Sequence, residues 1–251
     1  MRLLVASVLF LVLASTAAAH VAAPRVSANW SGYAVAAPGV TFPDVAGPWT
    51  QTRGACAPGA PTASGFWVGI GGYAESAGSL EQVGTAVDCD AAGRARYRAW
   101  WQLAPGPRAA IPLRVSPGDR VTGAVLVVGR RVTVTLKNLT RGTRFSKTIA
   151  ASRTLDVASA EWIAETPVAA VPLTNFGTVA FARASAIGND HAGTIDDPAW
   201  EATPIALDSR SSEGLGRFRP GGRRHELFGG LPSGLTADGS GFAVAAQVTE
   251  G

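Results

Sequence analysis

Apolar and polar side chains alternate with period two along much of this chain. In Arg131-Val132-Thr133-Val134-Thr135-Leu136 three apolar side chains face one way and the polar ones the other, the pattern of a half-buried strand. A matching run, Arg120–Val128, precedes it, and the intervening Gly129-Arg130 predicts a tight hairpin. Further strands are predicted at Asn29–Ala36, Trp49–Thr52, Gly65–Ile70, Leu80–Val87 and Arg96–Leu103. Phe145–Ala150, Glu161–Glu165, Val179–Ala184, Pro204–Leu207 and Phe242–Gln247 complete the set. No stretch beyond the N-terminal segment carries an amphipathic helical period. Many short strands without helices predict an all-β, two-layer antiparallel sandwich rather than an α/β design. Ile187 to Gly241 has the weakest strand signal, so a long excursion is expected there. No repeat, linker or composition break divides the chain, and a single domain is expected over residues 20–251.

The N-terminus changes the compartment. Arg2 precedes the apolar run Leu3–Leu13, and Ala17-Ala18-Ala19 supplies small residues for cleavage, so residues 1–19 read as a signal peptide of a secreted protein. The run is too short for a typical span, so no membrane anchor is expected after cleavage. In an oxidising compartment the chain's two cysteines, Cys56 and Cys89, are expected to form a disulfide. The competing role, a nucleophilic Cys, lacks a nearby His. The formal charge of +4 is almost entirely arginine, with several in Arg210–Arg224 amid glycines. That segment reads as a solvated loop or as a patch for anionic surfaces. No basic strand interleaved with aromatics supports nucleic-acid binding.

Candidate chemistry lies in two strings, Leu80-Glu81-Gln82-Val83-Gly84 and Ala160-Glu161-Trp162-Ile163-Ala164-Glu165. On a strand Glu161, Ile163 and Glu165 share one face, with Trp162 and Ala164 on the other. A carboxyl on a face that also carries apolar groups has its pKa raised by burial, which suits acid–base chemistry in acidic medium. The plainer alternatives are a polar strand residue at Gln82 and an exposed strand-end carboxylate at Glu165. Glu161 is either a second acid or an acceptor for buried donors. Trp30, Trp67 and Trp100 either line a cleft or fill the core, and only one of Trp100 and Trp101 can point inward. No Gly-x-Ser-x-Gly elbow, His-Glu-x-x-His helix, phosphate loop or Cys/His metal cluster is present.

Further strings point the same way: Asn29-Trp30-Ser31-Gly32, Trp67-Val68-Gly69-Ile70-Gly71-Gly72, Tyr97-Arg98-Ala99-Trp100-Trp101, Asn138-Leu139-Thr140-Arg141-Gly142, and Val171-Pro172-Leu173 with Phe176. With the Gln82 and Glu165 strings they run in order over about residues 29–185, and the chain resembles the glutamic peptidases (eqolisins), as a secreted member of bacterial type. The resemblance implies a sandwich of concanavalin A-like or jelly-roll type, polypeptide substrates, no cofactor, no metal and a monomer. It implies that Gln82 and Glu165 are catalytic. Glu165 would be general base on a water and then return the proton to the leaving amine, while Gln82 holds the water and stabilises the oxyanion. Trp30, Trp67 and Trp100, with Glu161 and Gln102, form the expected substrate-binding set. Fungal members carry Asp where this chain has Gly71 and Glu where it has Gln102, so a strongly acidic optimum does not follow. Only His20–Ala28 separates the signal segment from the first matched strand, too little for a sizeable propeptide.

Antiparallel sandwiches also host glycoside hydrolases and carbohydrate-binding domains, the competing class. Carboxylates at i and i+4 on a strand lie roughly 13 Å apart at ~3.3 Å per residue, too far for a retaining glycosidase pair. Gln82 separates the readings, because a glycosidase has no evident need of it.

Overall fold

The computed structural model describes residues 24–74, 77–167, 171–208 and 228–248. The expected signal peptide and the Arg-rich segment 210–224 lie outside the described residues. Described residues form seventeen strands and no helix. In chain order these are β1 (Arg25–Ser27), β2 (Trp30–Ala36), β3 (Asp44–Thr50), β4 (Thr62–Ile70), β5 (Leu80–Cys89) and β6 (Ala95–Ala104). Next come β7 (Ala109–Ile111), β8 (Arg120–Val128), β9 (Arg131–Asn138), β10 (Thr143–Ala150) and β11 (Ser159–Glu165). The last six are β12 (Thr178–Phe181), β13 (Ser185–Gly188), β14 (His191–Gly193), β15 (Glu201–Asp208), β16 (Phe228–Pro232) and β17 (Phe242–Val248). Among the described residues no helix is long and apolar enough to cross a membrane.

Pairing is antiparallel except between β1 and β15. One layer runs β7–β6–β5–β4–β11–β2–β15. The other runs β17–β12–β3–β8–β9–β10. Strand β16 pairs with both β15 and β17 and joins the layers, so the sandwich is nearly closed into a barrel. Between the layers lies the main core, with Val68, Val83, Val87 and Trp162 from one side and Trp49, Val121, Val125, Val134 and Leu136 from the other. Each such side chain, fully buried, contributes about 1.5–3 kcal/mol. Trp162 donates its indole N–H to Ala46 O at 2.9 Å and Trp49 donates to Thr85 Oγ1 at 2.9 Å, so these two indoles are satisfied between the layers.

Alternation predicted β8 and β9 closely, and their hairpin turns at Gly129, whose φ of +59° suits the first turn position. Strand β3 begins at Asp44, five residues before the expected start at Trp49. Within it Gly47 makes room for the Trp162 indole: a Cβ there would lie 2.8 Å from the ring. Pro48, which has no N–H to donate, accepts Ala182 N–H at 3.1 Å. The segment from Ile187, expected to be an excursion apart from the strand at Pro204–Leu207, also supplies β14 and β16, while the expected strand lies within the longer β15, which pairs with β2 in the site-bearing layer. Cys56 and Cys89 form a disulfide with a Cα–Cα distance of 5.4 Å, tying the β3–β4 loop to the end of β5.

Candidate active site

Strand β11 lies inside its layer, flanked by β2 and β4, and all seven of its residues are buried. Ala160, Trp162 and Ala164 enter the main core, leaving Glu161, Ile163 and Glu165 on the opposite face. Ile163 sits there in a second apolar cluster with Ala34, Trp67, Leu80, Ala86, Trp100 and Ile205. Trp30 packs against this cluster and meets Trp67 edge to face, ring centroids 5.0 Å apart. The three tryptophans expected at the site therefore share one face and form its floor, with Trp67 fully buried and Trp100 nearly so. Trp101 points to the other side, beneath the Lys147 ammonium at 5.0 Å.

Register fixes the polar groups over this floor. Glu165 pairs with Gly65 of β4, and a Cβ on Gly65 would lie 3.2 Å from Glu165 Cγ and Oε1, so glycine there opens the space the carboxyl uses. Gln82 and Glu161 both pair with Gly69, from opposite sides, four residues along β4 from Gly65. Side-chain reach closes that gap. Gln82 Nε2 donates to Gln102 Oε1 at 3.1 Å, Arg108 Nε donates to the same oxygen at 3.3 Å, and Arg108 Nη2 donates to Glu165 Oε1. Gln102 is held in turn by donating to Gly106 O at 2.7 Å. The Arg108 guanidinium lies over Trp100, 3.9 Å from the ring centroid. Gln82 has spent one of two N–H bonds, and its buried Oε1 has no protein partner.

The two glutamates of β11 differ in their surroundings. Burial pushes the Glu165 carboxyl above the usual carboxylate range, while the Arg108 guanidinium beside it pulls the other way and Trp67 adds to that pull. The exposed strand-end alternative for Glu165 fails, since its side chain is only 4% exposed. Glu161 is fully buried, and neither of its oxygens has a hydrogen-bond partner. Burial drives its pKa far up, Ser159 opposes, and the charges of Asp156 and Glu81 push it further. Burial therefore favours the neutral form of Glu161, and Glu165 is the carboxyl with a cation at hand.

Arg108, Glu81 and Asp156 were not singled out by sequence. Arg108 follows Ala104-Pro105-Gly106-Pro107, where no period predicts a direction. Glu81 is fully buried and pushed up to about 7, chiefly by burial. Gly71 has a φ of +81° and a Cβ there would lie 2.5 Å from Asp156 O, so this position is shaped for glycine. A cavity of about 330 Å³ adjoins the site, lined by Ala86, Asp88, Arg98, Trp100, Arg108 and Pro167 among others. A second, of about 250 Å³, is lined by Arg25, Asn29, Trp30, Tyr73 and Ile205 among others.

Solved structures with this architecture include scytalido-glutamic peptidase with a transition state analog inhibitor, 21% identical with a TM-score of 0.64, covering 87% of this chain and 98% of that one. SCP-B, described as a member of the eqolisin family in a complex with the tripeptide Ala-Ile-His, is 20% identical with a TM-score of 0.56, covering 88% and 98%. Aspergilloglutamic peptidase from Aspergillus niger is 21% identical with a TM-score of 0.55, covering 74% and 99%. No curated protein matches the chain. A model of the peptidase A4 family matches residues 28–210, and the chain belongs to that family: it is a glutamic-type peptidase, a hydrolase acting on polypeptides.

Proposed function

We propose that this chain is a secreted acid endopeptidase that hydrolyses peptide bonds with the dyad Gln82 and Glu165. Ionised Glu165 takes a proton from a water that attacks the scissile carbonyl carbon. Charge then develops on the carbonyl oxygen, and the second N–H of Gln82 is the donor for it, worth a few kcal/mol in a water-poor site. The tetrahedral intermediate collapses as Glu165 passes its proton to the leaving amine, which restores the carboxylate. Supporting the assignment is one observation: Gln82 and Glu165, far apart in sequence, are joined through Gln102 and Arg108 over one apolar floor.

Of the three tryptophans only the half-buried Trp30 can meet an extended peptide, with buried Trp67 and Trp100 supporting the floor beneath it, Gln102 fixing the Gln82 amide and Glu161 supporting the strand. Solved relatives hold a peptide-based transition state analog and a tripeptide, which fits a peptide cleft here. The wider reading is of a bacterial-type, secreted, monomeric enzyme of one domain over residues 20–251, with no membrane anchor and no nucleic-acid partner. The Cys56–Cys89 disulfide fits an oxidising compartment. Succession of strands between layers, with β2 and β4 in one and β3 in the other, supports the jelly-roll type.

The test of this reading is digestion of denatured casein by the purified protein from pH 2 to 7. Cleavage that persists with pepstatin and EDTA is expected. Cleavage abolished by EDTA, or hydrolysis of β-glucan and not casein, overturns it.

A further inference from the structure

We infer that Arg108 is a positioning residue of this peptidase: its guanidinium, braced on Trp100 and Gln102, holds the Glu165 carboxyl and so sets the lower limit of the pH range in which water is activated. The inference rests on the reading of Glu165 as general base.

A general base must be ionised before it can take a proton, and burial makes ionisation costly. Glu165 is almost wholly shielded, so the carboxylate needs a fixed cation within reach. Among the described residues one such cation lies against it. On its own strand the nearest titratable group is Glu161, four residues away and not a cation. Strand β2 presents Trp30, and β4 presents Gly65 and Trp67, none of them charged. Strand β5 presents Ala86 and Gln82, with Asp88 further along, and β6 presents Trp100 and Gln102, with Arg98 beyond. The Arg98 guanidinium is engaged by Asp88. Arg108, from the turn between β6 and β7, is the cation whose Nη2 meets Glu165 Oε1.

Its placement goes beyond a chance surface pair. The planar guanidinium makes three contacts: over the Trp100 ring, donating from Nε to Gln102 and from Nη2 to Glu165. Lysine offers no such planar fork. Because residue 102 is an amide and not a carboxylate, the positive charge of Arg108 is not shared with a second anion there. The same oxygen of Gln102 accepts from Gln82, so one bracket orients both members of the dyad.

The experiment is the pH dependence of kcat/KM between pH 2 and 8 for wild type, Arg108→Met and Arg108→Lys. Met keeps an apolar stem over Trp100 and removes the charge. In Arg108→Met the acid limb is expected to move up by about 1–3 pH units, the span a neighbouring arginine gives a carboxylate. Activity on that limb then drops about 10–10³-fold and recovers as the pH rises. Arg108→Lys is expected to keep its limb nearer to wild type. Should Arg108→Met fail to fold by circular dichroism, Arg108→Gln carries the same expectation. A loss equal at every pH, or an unmoved limb, overturns the inference. Glu165→Gln in the same assay separates the two readings. If it is inactive while the Arg108→Met limb stays put, only the role of Arg108 falls. If it remains active, the dyad itself falls.

Discussion

Two carboxyl groups on one face of one strand meet opposite fates, and the difference lies in what each touches. Among the described residues no hydrogen-bond partner lies within bonding distance of either Glu161 oxygen and burial favours its neutral form; Glu165 meets the Arg108 guanidinium, which favours its carboxylate. Accordingly, Gln82→Ala should cost about 10²–10³ in kcat with little change in KM, because it removes a donor used mainly as the oxyanion forms. Glu161→Gln, which replaces one neutral hydrogen-bonding group by another, should stay within about tenfold of wild type. Steady-state kinetics on a peptide substrate checks both. Period-two parity was enough to place Glu161, Ile163 and Glu165 on a shared face. It could not say which glutamate has a cation, because Arg108 arrives from a proline- and glycine-rich turn. Nor could it tell that Trp100 turns to the site and Trp101 away, since both are large and apolar.

Strands decide how closely those residues approach. Small residues recur where β4, β5 and β11 cross the site face: Gly65 under Glu165, Gly69 between Gln82 and Glu161, Gly84 opposite Trp67. A Cβ on Gly84 would lie 2.3 Å from Phe66 O and 2.6 Å from Trp67 Cβ, and the first of these is backbone that cannot turn away. Gly84→Ala should therefore separate β4 from β5 and destabilise by about 1–3 kcal/mol, read from chemical denaturation. Hairpins such as β8–β9 were legible because each strand buries one face and its turn is short. Strand β15 was less so, because Glu201-Ala202-Thr203-Pro204-Ile205-Ala206 lacks clean alternation, and four of its first five residues are buried. Burial from both faces erases the period-two signal.

Across the whole molecule the buried acids make stability depend on pH. Glu81 has an ordinary value of 4.5 and is pushed up to about 7 when folded. Between those values the unfolded chain has lost a proton that the folded chain keeps, so stability falls as pH rises and levels off above about 7. At 1.36 kcal/mol per pH unit this is a loss of about 3 kcal/mol from Glu81. Glu161 acts in the same direction. Asp119 acts in the opposite one: burial would raise its pKa, but donors from Arg141, Asn138 and the Ser116 N–H outweigh it and hold the group below 3.8, so its contribution is lost only as pH falls through that lowered value. Thermal melts should thus peak near the ordinary glutamate value and decline toward neutrality, and Glu81→Gln should flatten the decline. A melting temperature that rises from pH 5 to 7 would contradict this. The all-β class and the order of the family strings were readable along the chain, whereas this acid cluster was not. Glu81 adjoins Gln82, which carries the match to the family string, and Asp156 lies in a loop with no period to place it.

The central claim is that Glu165 is the proton-accepting carboxyl, and replacing it by glutamine tests that most directly. Glu165→Gln keeps shape and hydrogen-bonding capacity but cannot accept a proton from water. Its kcat on casein-derived peptide at the optimum pH should fall by at least ~10²–10⁴, with circular dichroism unchanged. Near-wild-type turnover in Glu165→Gln, with Glu161→Gln folded and inactive, would show that the other carboxyl of β11 does the work.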